Sequence, residues 1–424
     1  MSRLSAVDAF FVAYQEAACI PMVLGAEVRL AGVVARPELE RALTCALGVW
    51  PVLGCQVRRA VLGLRWRPRF AAADLVTEGP LTPEGPTSLA GWRNRPIDPF
   101  SAPPFQVRWA VEAGHTVLAF KAHHAALDGQ AIFMVASAVL RFLAADRGGQ
   151  PVPKVATPLA ARVLVAPRRL LAGARLRDLL RFAKWLKVEA RLGRSARLAL
   201  ADVAPGPSGV SARQVPMAPL LAQAQALKIS PASLAAAAWM RAIGRFNADR
   251  GGAKGPISLE IPVSFRRARE GATTPGNLIS PLTVFGDPEA PLAILGPTLH
   301  GTLTDALSRK LHHAVPLLAW PGAWLPWGIF RRIAVTPAST GFATSHFTLV
   351  DTPGAVVAEV AALSGGALAL VGIEVWSPVC LAMGAAVLAV PWEGQLRLSI
   401  THRLNGISGA DAQVLLDHLA AELA

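Results

Sequence analysis

Residues 119–131 read AFKAHHAALDGQA: an apolar extended run ends in His123 and His124, and Asp128 and Gly129 stand just before an apolar run of helical period. Upstream, QVRWAVEAG (106–114) and HTVLAFKA (115–122) alternate around Ala113-Gly114, the pattern of two strands joined by a tight turn. Downstream, Ile132, Phe133, Ala136, Val139, Leu140 and Leu143 recur at helical spacing. The two histidines therefore sit at a strand-to-helix junction.

Three chemistries fit such a junction. Imidazole titrates closer to neutral pH than any other side chain, so one histidine with a fixed tautomer could take a proton from a hydroxyl or amine. Asp128 would then brace the turn, and a buried carboxylate needs a guanidinium partner. Arg266, at the end of IPVSFR (261–266), is the first candidate and Arg403 the second. A metal site would need a third ligand, and adjacent side chains on an extended chain point to opposite faces. A purely structural turn is the remaining reading.

The end of the chain repeats this layout. GQLRLSITHRLNGISGADAQVLLDHLAAEL (394–423) is again an alternating strand, a turn at His402 to Gly406 and an apolar helix, without the aspartate or the tandem histidine. A degenerate internal duplication is the expectation.

Composition sets the frame. The 424 residues are 53% hydrophobic, enough for two units of about 200 residues. Cys19, Cys45, Cys55 and Cys380 form no C-x-x-C pair, which argues against a zinc site and a disulfide framework. The start lacks a charged and apolar leader pattern, so a cytoplasmic protein is expected. The formal charge is +14, and residues 168–197 carry ten basic residues against Asp178 and Glu189. That segment alternates Arg177, Arg181, Lys184, Lys187, Arg191 and Arg194 with Leu176, Leu179, Leu180, Ala183, Leu186 and Ala190, as an amphipathic helix does. It fits an acidic carrier protein, coenzyme A phosphates or peripheral contact with an anionic membrane. Nucleic acid is not expected, because no aromatic platforms interleave the arginines.

Gly- and Pro-rich stretches divide the chain into an N-terminal lobe (1–160), a basic crossover helix and linker (161–208) and a C-terminal lobe (209–424). The apolar run 375–392 is broken by Pro378, Gly384 and Pro391 and reads as two buried strands with a turn, not a membrane span. Trp320, Trp324 and Trp327 beside Arg331 and Arg332 suit a helix packed between lobes, an acyl tunnel lining or a membrane-interface contact.

H-H-x-x-x-D-G after a strand resembles the signature of the chloramphenicol-acetyltransferase-like superfamily, which includes condensation domains, polyketide-associated acyltransferases and bacterial wax ester synthases. LSAVDAFF (4–11), IPVSFR (261–266) and GNLIS (276–280) resemble further motifs of the last two groups, so the similarity spans nearly the whole chain. SHFTLVDTPG (345–354) departs from their S-N-x-P-G, and Ser230-Pro231-Ala232-Ser233 stands where they carry Asn-Asp. The resemblance implies an α/β fold of two chloramphenicol-acetyltransferase-like lobes, each a mixed sheet flanked by helices, with a cleft or tunnel between them. It implies His124 as general base, His123 as orienter, and Asp128 with Gly129 as the structural turn. Asn277, Ser280 and Ser345, with Thr344 beside it, are candidate oxyanion or substrate-binding groups. The implied activity is acyl transfer from acyl-CoA or an acyl carrier protein to a hydroxyl, with no cofactor, no metal and no covalent acyl-enzyme. Amide formation with an amine acceptor and a non-catalytic carrier-binding scaffold are the alternatives.

Overall fold

The computed structural model describes residues 2–79, 88–155, 166–171, 195–202, 204–266, 274–334, 343–350, 354–380 and 383–424. Most of the basic segment 168–197 thus lies outside the described residues. In chain order the strands are β1 (Val23–Ala31), β2 (Cys55–Arg59), β3 (Leu64–Pro68), β4 (Val76–Glu78), β5 (Phe105–Glu112), β6 (His115–His123), β7 (Ser208–Pro216), β8 (Ile257–Ser264), β9 (Ile279–Gly286), β10 (Ser345–Leu349), β11 (Ala369–Trp376), β12 (Ala385–Trp392) and β13 (Gln395–Arg403). They form a sheet in the order β11-β1-β6-β5-β4, a second in the order β7-β13-β12-β10-β8-β9, and the small pair β2-β3. Both large sheets are mixed: β4 runs parallel to β5, and β10 runs parallel to β8 and β12.

Helices cover the sheets. In the first lobe they are α1 (Ala6–Ala18), α2 (Arg36–Val49), α3 (Ala72–Leu75), α4 (Leu89–Asn94) and α5 (Gly129–Arg147). The caps are local and chemical. Ser5 and Asp8 bond each other's backbone N–H at the start of α1, and Pro37 sits in the first turn of α2 where its missing N–H costs nothing. In the second lobe Pro231–Asp249 and Gly409–Leu423 pack on the sheet through side chains such as Trp239, Ile243, Leu415 and Leu419. Burying a side chain of this kind contributes about 1.5–3 kcal/mol relative to leaving it in water.

The two strand-turn-helix stretches that look alike in sequence also share a backbone layout. Each hairpin that precedes a motif turn, β5-β6 and β12-β13, uses a two-residue connection with positive φ at both positions: Ala113 and Gly114 at 48° and 78°, Glu393 and Gly394 at 48° and 74°. This is the type I′ geometry that matches strand twist. Counting from those turns places Arg403 where the first copy has His123, Leu404 where it has His124 and Ser408 where it has Asp128. Ser408 caps its helix as Asp128 caps α5, so the cap survived and the chemistry did not.

The chain does not respect the boundary expected at residue 209. Residues 354–376 return to the first lobe: the helix Gly354–Leu363 packs on α5, and β11 pairs with β1 from Gly25↔Trp376 to Ala31↔Ala369. The run 375–392 does contain parts of two strands, yet they belong to different sheets and the segment between them crosses from lobe to lobe. Arg93 of α4 fastens the exchanged strand, bonding Glu27 of β1 at 2.7 Å and Glu374 of β11 at 3.1 Å while its guanidinium lies 4.7 Å from the Trp376 ring. Gly25 makes room for that ring, and a Cβ there would overlap both Trp376 and the Phe120 carbonyl. Gly25→Ala is therefore expected to destabilise the protein by about 1–3 kcal/mol, the usual range for overpacking, read as a lower urea midpoint with an unchanged slope.

Candidate active site

Strand β6 carries the motif to the lobe junction, and hydrogen bonds of the backbone fix the turn that follows. His123 N donates to Pro104 O at 2.8 Å, His124 N to Met22 O at 2.8 Å and Ala126 N to His123 O at 2.9 Å. The His123 ring faces inward, with Nδ1 accepting from Ala125 N at 3.0 Å. Its proton must then reside on Nε2, which is buried without a partner among the described residues. Burial, reinforced by the neighbouring His124, lowers its pKa to about 3, so this ring stays neutral. His123 thus braces the backbone of the turn and does not orient the ring of His124.

Asp128 is a clamp between lobes. Arg266 Nη1 donates to both its oxygens, at 2.9 and 2.8 Å, and the two side chains are 2% and 0% exposed. Ala131 N and Leu278 N each donate to the same carboxylate at 2.8 Å. The remaining guanidinium nitrogens are spent on the loop that follows, with Nε donating to Thr274 O at 3.0 Å and Nη2 to Gly276 O at 2.8 Å. Asp128 caps α5 and pins the Gly276-Asn277-Leu278 turn of the second lobe against the histidine turn of the first. Arg266, the first candidate, fills this place.

Asn277 is the residue this clamp delivers. Its Nδ2 donates to Asp8 Oδ1 at 2.9 Å and to the His124 carbonyl, both groups that only accept. The amide orientation follows from that, so Oδ1 must face His124 Nδ1, 2.9 Å away, and Nδ1 must carry the proton. His124 Nε2 is left with its lone pair, in a residue that is half-buried where His123 is fully buried. Phe11 stacks on the ring face at 3.8 Å and 11°, so α1 holds the imidazole by its face through Phe11 and by its edge through Asp8 and Asn277. Burial lowers the His124 pKa, while Asp128 and Asn277 oppose that shift. The His124 ring is therefore neutral at neutral pH.

These contacts correct the expected oxyanion donors. Both N–H bonds of the Asn277 amide are committed, so it positions His124 and has none left for a substrate oxygen. Ser345 Oγ donates to Ala385 O at 2.7 Å and accepts from Trp239 Nε1 at 3.0 Å. Thr344 Oγ1 donates to Ala196 O at 2.8 Å. Ser280 shares the face of β9 that buries Leu282 and Val284 against the helices, opposite to Ile279. The same alternation on β10 turns Ser345 and Phe347 into the core and leaves His346 on the other face. There His346 pairs in register with Glu260 of β8 and Ala386 of β12, and Ala386 packs with Tyr14 and Met22 of the first lobe. Burial and the nearby His124 lower its pKa to about 4. His346, Asp8 and Phe11 are the site residues that the sequence reading left unassigned; strand alternation in SHFTL would have found the first.

A cavity opens at each end of α1. One of about 580 Å³ touches its first turn and Asn277; one of about 1170 Å³ touches Gln15, Glu16 and Cys19 at its other end, together with Asn94 and Pro205. Phe11, stacked on His124, lies between the two ends.

No family model matches the chain, and no curated protein matches it in sequence. Solved structures do. SgcC5 from Streptomyces globisporus superposes with a TM-score of 0.68 at 17% identity, covering 100% of this chain and 98% of that one. A variant of the starter condensation domain of rhizomide synthetase RzmA, in complex with C8-CoA, gives 0.69 at 16%, covering 99% and 94%. Polyketide synthase associated protein 5 from Mycobacterium tuberculosis gives 0.65 at 15%, covering 100% and 98%. The chain has the two-lobed fold of these proteins over its full length.

Two expectations follow from the clamp and the chain of bonds behind His124. Arg266→Ala leaves Asp128 buried and uncompensated and should cost about 3–5 kcal/mol in urea unfolding. Burial raises the Asp8 pKa to about 6 from 3.8, although Asn277 and Ser5 oppose the shift. A raised acid pKa means the folded state holds the proton more tightly, so the contribution of Asp8 to stability is present below pH 3.8 and is lost as pH rises through 6. At about 1.36 kcal/mol per pH unit the loss is about 3 kcal/mol. In Asp8→Asn the fall in stability from pH 4 to 7 should be smaller by that order, and ¹⁵N spectra of the wild type should show His124 protonated on Nδ1 with a midpoint below 6.5.

Proposed function

We propose that the chain transfers an acyl group from a thioester to a hydroxyl acceptor, with His124 as general base. The observation that carries this reading is the unprotonated Nε2 of a half-buried ring whose tautomer, edge and face are all fixed, stacked on α1, the helix that has a cavity at each end. The acceptor oxygen gives its proton to Nε2 as it attacks the thioester carbonyl carbon. The tetrahedral oxyanion then collapses, the carbon–sulfur bond breaks, and the departing thiolate takes the proton back from the imidazolium. Atoms and charge balance without a covalent enzyme intermediate, a metal or a cofactor.

A pantetheine thioester, as acyl-CoA or on a carrier protein, suits the donor role; the C8-CoA bound to the starter condensation domain of rhizomide synthetase RzmA supports it by analogy of fold. An amine acceptor would use the same base. Competition between an alcohol and an amine separates ester from amide formation, because mass spectrometry of the products distinguishes the two directly.

The decisive experiment incubates purified protein with a panel of acyl-CoA and acyl-carrier donors and mixed acceptors. General-base catalysis contributes about 10²–10⁴-fold, so His124→Ala should lower kcat/KM by at least about 100-fold while leaving the thermal midpoint within a few degrees. Equal turnover by the variant would remove the base from the mechanism. Carrier binding with no product from any donor would favour the scaffold role.

A further inference from the structure

The two cavities at the ends of α1 differ in charge. The larger one combines Arg58 and Arg59 with Glu16 and Asp98. The smaller one is ringed by Arg3, Arg65 and Arg168 and, among its described lining residues, has no aspartate or glutamate. None of these arginines forms an ion pair among the described residues. Arg3 and Arg65 are brought side by side by a backbone bridge between them. Arg3 is the most committed: its guanidinium lies 3.8 Å from the centre of the Trp324 ring, and its Nη1 is buried with no hydrogen-bond partner among the described residues.

An orphaned N–H on a buried cation is costly, and stacking on tryptophan offsets only part of that cost. Three guanidiniums around one opening with no counter-charge among the described lining residues suit an anion, and the planar fork of arginine matches a phosphate by two parallel hydrogen bonds. Apart from Ser5 and Asn277 the rest of the lining is apolar, including Trp320 and Ala319, and Asn277 is the residue that holds His124. The cavity therefore offers a cationic mouth and a largely apolar passage that reaches Asn277, the hydrogen-bond partner of His124.

We propose that Arg3, Arg65 and Arg168 form a phosphate-binding mouth that admits the phosphate-bearing pantetheine arm of the acyl donor at the N-terminal end of α1, leaving the charge-balanced cavity at its other end to the acceptor. This rests on the acyl-transfer reading for the identity of the donor. The phosphate could belong to coenzyme A or to the phosphopantetheine of a carrier protein.

Binding is the test, since it needs no turnover. Coenzyme A, 4′-phosphopantetheine and pantetheine are titrated calorimetrically into the full chain and into Arg65→Gln and Arg168→Gln, whose side chains are exposed, with unchanged thermal midpoints as the check that the variants are folded. The two phosphorylated probes should bind at least tenfold more tightly than pantetheine, and each variant should remove most of that advantage while leaving pantetheine unchanged. Arginine-dependent binding in which coenzyme A exceeds phosphopantetheine marks the coenzyme as the source; equal binding marks the carrier. Pantetheine binding as well as its phosphate ester, or variants that bind all three like the wild type, would overturn the proposal. Arginine-dependent phosphate binding without any acyl transfer would leave the mouth standing and remove the reaction, whereas acyl transfer indifferent to the phosphate would do the reverse.

Discussion

Everything at the junction depends on one buried ion pair. Taking a carboxylate and a guanidinium out of water costs several kcal/mol each, and their attraction offsets this only where the geometry is good and the other polar atoms are satisfied. Asp128 and Arg266 meet both conditions, since the carboxylate also takes two backbone N–H groups and the guanidinium two carbonyls. The interaction is therefore as much a device for register as for stability. It fixes the histidine turn of one lobe against the asparagine turn of the other, and the tautomer of His124 is set by that alignment.

The lobes consequently have unequal roles built from one pattern. Both contain a type I′ hairpin leading through a turn into an N-capped helix, but the second copy presents Leu404 and Ser408 where the first presents His124 and Asp128. The first lobe supplies the imidazole of His124. The second supplies what holds it, through Asn277, and a wall of the junction, through β8, β10 and β12. A single lobe could not define the ring, because its edge partner and its chain of origin lie on opposite sides of the interface.

The strand-to-helix motif and the pairing of Asp128 with Arg266 were legible in the sequence, each for a local reason, while the mixed sheets were implied by the family resemblance. Alternation marks strands, and a buried carboxylate demands a cation near the end of another element. Ser280 and Ser345 were misread as substrate groups because turn chemistry was weighed over strand period, which turns both into the core. Asn277 was found but given the wrong task, since its two acceptors, Asp8 and the His124 carbonyl, come from segments remote in sequence. The exchange of β11 left no local trace at all: period reports that a segment is a strand and is silent on which sheet receives it.

That exchange has a consequence for how the protein is made. β1 is flanked by β6 on one side and β11 on the other, and Gly25 finds Trp376 only after most of the chain has been synthesised. At roughly 5–20 residues per second, β1 waits on the order of tens of seconds on the ribosome with one edge bare. The nascent N-terminal lobe is thus obliged to remain an incomplete sheet through most of translation, a period in which a holding chaperone would have a defined surface to shield.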